Sequence, residues 1–152
     1  MGEKEGYKTM NARPTIDPRY LCQQHLNGAH FEHHKHEKKW TVKKMRPGKY
    51  LTNNCFEPAN YKARHDEFVA EMLRRGGNHN SPIEQPDFSY LPDEEREWKA
   101  DPEAARQALM DRCWEYRTMI LHRVDFLSMM EAGGQAQKEA WKESRKGKRS
   151  ME

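Results

Sequence analysis

Proline and glycine punctuate this chain so regularly that they dictate how it can be segmented. Asp17-Pro18 and Asp101-Pro102 each place a capping carboxylate before a proline at the first helical position, where its missing N–H costs nothing. Pro58 stands near a third start, and Gly76-Gly77 and Gly133-Gly134 supply stops, because glycine readily takes the left-handed cap conformation. Between these marks residues keep helical spacing. Leu21, His25, Gly28, Glu32 and His36 share one face of a helix running from Asp17 to about Trp40. Tyr61, His65, Phe68, Val69 and Met72 form a stripe on a second, over about 58–75. Ala105, Leu109, Cys113, Tyr116, Ile120 and Leu127 do so on a third, and no stretch alternates with the period of a strand. The expected fold is all-α: a single compact domain of three main helices with long connecting loops, spanning residues 11–134. A flexible N-terminal extension (1–10) and a basic C-terminal tail (135–152) flank it. The connection over 78–100 carries Pro82, Pro86 and Pro92 and is long for a compact domain, so it should pack through Ile83, Phe88, Tyr90 and Leu91.

Composition narrows the partners. Hydrophobic and charged residues stand at 35% and 34%, so the core is narrow, and its bulk must come from Trp, Phe, Tyr and Met. The net charge is only +3, but it is unevenly spread. Residues 33–50 hold Lys35, Lys38, Lys39, Lys43, Lys44, Arg46 and Lys49 against the single acid Glu37, whereas 84–103 hold eight acids against Arg96 and Lys99. The basic stretch reads either as a surface directed at phosphates or as a solvated lysine-rich loop. Cys22, Cys55 and Cys113 are odd in number and lack CxxC spacing. With no signal peptide and no apolar run near the ~20 residues a membrane span needs, the sequence points to a soluble cytoplasmic protein with free thiols.

Two stretches resemble a known family. Tyr20-Leu21-Cys22-Gln23-Gln24-His25-Leu26-Asn27-Gly28-Ala29-His30-Phe31-Glu32 resembles the first-helix motif of the pyrimidine-dimer DNA glycosylases of endonuclease V type, a Gln/Lys-His-Leu followed by a glutamate seven residues after the histidine. The stretch from Arg64-His65-Asp66-Glu67 through Glu71-Met72 and Arg74-Arg75-Gly76 to Asn78-His79-Asn80-Ser81-Pro82 is similar to a second segment of phage and bacterial members. Asp87–Pro92 and Arg112-Cys113 fall where the family has comparable residues, so the resemblance covers roughly 11–120.

The resemblance implies a monomeric base-excision enzyme acting on pyrimidine dimers in double-stranded DNA, with no cofactor and no metal. In that family an N-terminal α-amine attacks C1′ of the damaged nucleotide, an imine forms, and β-elimination cuts the strand. An α-amine titrates near ~8 and a lysine near ~10.4, so at neutral pH the α-amine offers far more free base. A neighbouring carboxylate stabilises developing positive charge and moves protons. Glu32 matches that carboxylate, and His25 and Gln24 match the pair beside the DNA. Arg13, Lys43, Lys44 and Arg46 are candidate phosphate contacts from charge alone.

The pattern breaks at the nucleophile. Asn11 falls at the family's N-terminal position, yet ten residues precede it and its side-chain nitrogen is an amide. A start at Met10, proteolysis before Asn11, or a lysine substituting (Lys8 or Lys4) are the routes to an amine. Ala29 stands where many members carry an acid, and Phe31 where some carry an arginine. The alternative reading is a catalytically silent relative that binds DNA or serves as a structural component of a nucleoprotein assembly. A third reading comes from the histidines: five lie between 25 and 36, and His30 and His34 are spaced to share one metal. His65 lies on an apolar stripe and reads as a hydrogen-bonded core histidine.

Overall fold

The computed structural model describes residues 15–53 and 56–132, and all regular structure among them is helical. In chain order the α-helices are α1 (Gln23–Thr41), α2 (Lys49–Thr52), α3 (Tyr61–Arg74), α4 (Asp93–Arg96), α5 (Pro102–Arg112), α6 (Trp114–His122) and α7 (Phe126–Glu131). The extension 1–10, the Gly133-Gly134 stop and the tail 135–152 lie outside the described residues.

The expected starts of the first two helices are displaced. Asp17 does cap, accepting from Arg19 N at 3.0 Å, but what it caps is a 3-10 turn over Pro18–Tyr20. Leu21 and Cys22 are then extended, and the sulfur of Cys22 caps α1 by accepting from His25 N. The break has a cause on the neighbouring helix. Arg75 donates to the carbonyls of Pro18 and Leu21 at 3.1 and 2.7 Å, so Leu21 O is satisfied by a side chain and Pro18 O is shared between Arg75 and the 3-10 turn. Pro58 likewise opens a 3-10 turn, and α3 follows from Tyr61. The stop at Gly76 forms as expected: its φ is +90°, Gly76 N donates to Leu73 O, and Gly77 N donates to Met72 O.

The third helix is three helices. Cys113 is extended (φ −117°, ψ 105°), ends α5, and caps α6 by accepting from Tyr116 N at 3.3 Å. Arg123 takes a left-handed conformation (φ 56°) and ends α6, after which Asp125 caps α7. The apolar spacing runs through both breaks, and no Gly or Pro marks them, so periodicity alone could not place them.

Helices α1 and α3 pack antiparallel at the centre. Tyr61, at the start of α3, donates its hydroxyl to His33 O midway along α1, while Arg75, just past the end of α3, reaches Leu21 O just before α1. One core cluster joins Leu26 and Ala29 of α1 and Phe68 of α3 to Ile16 and to Leu109, Cys113 and Tyr116 beyond. A second gathers Trp40, Phe56 and Tyr61 with Ile83, Phe88 and Leu91, so the long proline-punctuated connection packs as expected. Trp40 stacks on Phe56 with ring centroids 4.7 Å apart.

At the C-terminal end of α3 lies a buried ion pair within one turn. Glu71 and Arg75 have side chains only 3% and 4% exposed, 2.6 Å apart, and Arg75 also lies over the Phe126 ring of α7. Removing one partner strands a buried charge. Glu71→Ala should therefore lower the unfolding free energy by ~3 kcal/mol or more, with a smaller loss for Glu71→Gln, read from urea unfolding.

Candidate functional site

Helix α1 separates two groups of polar residues. Its buried stripe is Leu26, Ala29, His33 and Trp40. At 3.6 residues per turn, His25 and Glu32 lie within about 20° of each other on one flank of that stripe, while Glu32 and His34 are about 160° apart. The helix thus carries a Glu32 face and, on its other flank, His30 and His34.

On the first face, Glu32 and His25 are half-buried and Gln24 is exposed. His25 is held at the start of α1, its Nδ1 3.1 Å from Cys22 Sγ. Cys22, His25 and Cys113 bring their ligating atoms within 4.8 Å of one another, but each sulfur already caps a helix. The Cys113 thiol, and then His25, hold the Cys22 thiol down at about 4, whereas Cys113, beside that sulfur and buried, is pushed up. Both cysteines are buried and free, as the sequence suggested; Cys55 lies outside the described residues.

The candidate phosphate contacts follow the end of α1. Lys43 and Lys44 are exposed, and Lys44 Nζ lies 5.5 Å from the centre of the Tyr90 ring. Arg46 is exposed but paired: its Nε donates to Glu95 Oε1 at 2.9 Å and its second nitrogen to Glu95 Oε2, which ties the basic stretch to the acidic connection. Asn11 and Arg13 lie outside the described residues. A groove of about 620 Å³ is lined by Thr15, Asp17, Arg19, Arg64, Glu67 and Arg74, among others. Glu32, His25 and Gln24 do not line it. Arg64, at its rim, donates to Ile16 O and to Glu67 Oε2.

The histidines separate by environment. His33 is a core residue, 6% exposed, with Nδ1 donating to Ala29 O at 3.1 Å and its ring against Tyr61 and Phe68. Burial pushes its pKa down to about 3. His36 is half-buried beside Tyr50 and pushed down to about 4, also by burial. His30 and His34 meet two residues from the second resembling stretch, His65 and His79, and the ligating atoms of the four lie within 4.8 Å of one another. Burial, reinforced by the neighbouring imidazoles, pushes His30 down to about 4 and lowers His34 and His65. His65 is the hydrogen-bonded core histidine expected from its stripe, 1% exposed, with Nδ1 3.1 Å from Asp66 Oδ1. The four-residue spacing of His30 and His34 signalled a pair; the arrival of His65 and His79 depends on how α3 and its exit turn pack.

Neither a family model, nor a curated protein, nor a solved structure matches the chain.

Burial fixes the sign of the pH dependence. His33, His30 and His36 have folded pKa values far below the ~6.5 of an unfolded histidine, so between those limits the unfolded chain binds more protons. Stability is therefore full above about pH 6.5 and is lost as pH falls toward 4. The urea midpoint should drop over that window, and His33→Asn, which keeps a side-chain N–H donor without a titrating group, should flatten the slope.

Proposed function

We propose that the chain acts on DNA as a small helical protein of the pyrimidine-dimer glycosylase and AP-lyase type. Glu32 is its acid/base and electrostatic residue, and His25 and Gln24 face the duplex. The observation that carries this reading is the packing of the two resembling stretches as one unit. Residues 20–32 and 64–82 are separated in sequence, yet they meet as α1 on α3 and are locked at one end by Arg75. Glu32 and His25 then share a half-buried flank of α1, and exposed Lys43 and Lys44 follow the C-terminal end of that helix. A carboxylate partly withdrawn from water beside a basic run suits stabilisation of a cationic sugar while phosphates are neutralised nearby.

The amine comes from the segment that precedes residue 15. Arg64 donates to Ile16 O, which holds the start of the described chain against α3. A lesion base leaves the stack before attack, and duplex deformability supplies the selectivity. The second reading, a silent relative that binds DNA without cutting it, is favoured by one observation: Glu32 does not line the groove beside Ile16.

Borohydride trapping on abasic-site DNA, with nicking of UV-irradiated plasmid, tests the proposal. The expected result is a covalent adduct and nicking, with nicking lowered by ~100-fold or more in Glu32→Gln. Duplex binding without an adduct or nick would establish the silent relative, and absence of duplex binding would end both readings. Each phosphate contact adds about −0.9 to the slope of log affinity against log salt, so Lys43→Ala should make that slope shallower by about 0.9.

A further inference from the structure

The His30, His34, His65 and His79 cluster lies on the flank of α1 away from Glu32 and has no part in the proposed reaction. We propose that these four side chains form an all-imidazole tetrahedral site for a zinc-class divalent transition-metal ion, which staples α1 to α3 and to the loop after the Gly76-Gly77 turn.

The hydrogen-bond geometry of the rings points there. His34 Nε2 stands 3.1 Å from His30 Nε2 and also 3.1 Å from His65 Nε2. An imidazole nitrogen has one in-plane position, holding either a proton or a lone pair, so it makes one hydrogen bond. Only one of these two contacts can therefore be a hydrogen bond, and the other sets two ring nitrogens together without one. His65 narrows the choice. Its Nδ1 faces Asp66 Oδ1 at 3.1 Å and donates to that carboxylate, so its Nε2 keeps the lone pair and turns it toward His34. The buried Nε2 of His79 has no hydrogen-bond partner among the described residues, and the His79 ring lies 4.7 Å from His30 and 5.1 Å from His65, centroid to centroid.

A cation resolves this convergence of lone pairs. With metal–nitrogen bonds of ~2.0–2.1 Å, tetrahedral ligand nitrogens stand about 3.3 Å apart. The two 3.1 Å contacts are close to that value, and modest rotation about the side-chain bonds brings in the rest. Neutral imidazole suits zinc, nickel and cobalt better than the oxygen-seeking calcium or magnesium. Asp66 supplies the carboxylate–histidine–metal relay that fixes the ring and raises its basicity. His30, His34 and His79 are only half-buried, which leaves an approach from solvent. Four protein ligands complete a structural site, so the reaction proposed above remains metal-independent.

The test uses the full chain without an affinity tag, stripped with EDTA and titrated with zinc chloride or cobalt chloride. The expected result is one tightly bound equivalent of zinc and a thermal midpoint raised by about 5 °C or more. Cobalt should give the intense visible bands of a tetrahedral centre, without the near-ultraviolet charge transfer that thiolate ligands add. His79→Ala and the milder His79→Gln should each weaken zinc binding at least 10-fold, and Asp66→Asn by ~10–100-fold. The pair of His79 variants guards against a folding defect in either, and His36→Gln should bind as the parent does. No saturable binding near one equivalent, unchanged affinity in both His79 variants, or a thiolate charge-transfer band placing the ion at Cys22 and Cys113 would each overturn the assignment.

Discussion

Arg75 is the residue on which the geometry of this fold depends. A guanidinium 4% exposed must have its charge answered and its donors filled, and here Glu71, Pro18 O and Leu21 O do both. Those contacts settle three things together. They hold the chain extended between the 3-10 turn and α1, they fix the antiparallel docking of α1 on α3, and they seat α7 through Phe126 under the same side chain. A fold whose apolar content is modest gains order from such a polar node, because a misaligned helix pair would leave the charge buried and unanswered.

The packing set by that node gives α1 its two characters. One flank bears His25 and Glu32, lysines follow the helix's C-terminal end, and the opposite flank gathers imidazoles, of which His30, His34 and His65 have lowered pKa values through burial. One helix therefore presents an acid beside basic residues on one side and a convergence of nitrogen lone pairs on the other. The second depends on α3 directly, since His65 and His79 come from it and from the turn that ends it.

The sequence was legible where local chemistry decides the structure. The Asp17 and Asp101 caps, the Gly76 stop and the anchoring of the 78–100 connection by Ile83, Phe88 and Leu91 all formed. It was illegible where a distant side chain decides. Nothing between Asp17 and Gln23 announces that Arg75 will claim two carbonyls there, and nothing in the apolar spacing of 105–127 announces that Cys113 will cap a new helix. The same holds for the polar residues. Spacing paired His30 with His34 and Glu32 with His25, but Arg46, read from charge as a phosphate contact, had a partner 49 residues away in Glu95. Charge counts give the sign of a surface, and the fold decides which of its members are already matched.

That match makes Glu95 an intramolecular rival for any polyanion. The carboxylate lies on a four-residue helix with Asp93 and Glu94, so the protein carries a short acidic segment against its own basic rim. Ion pairs this open to water are weak, so another anion can displace the carboxylate. A single small anion gains little from that exchange, whereas the duplex proposed above would engage Lys43 and Lys44 as well. On that proposal, the acidic segment weighs more heavily against single anions than against a ligand with regularly spaced charges.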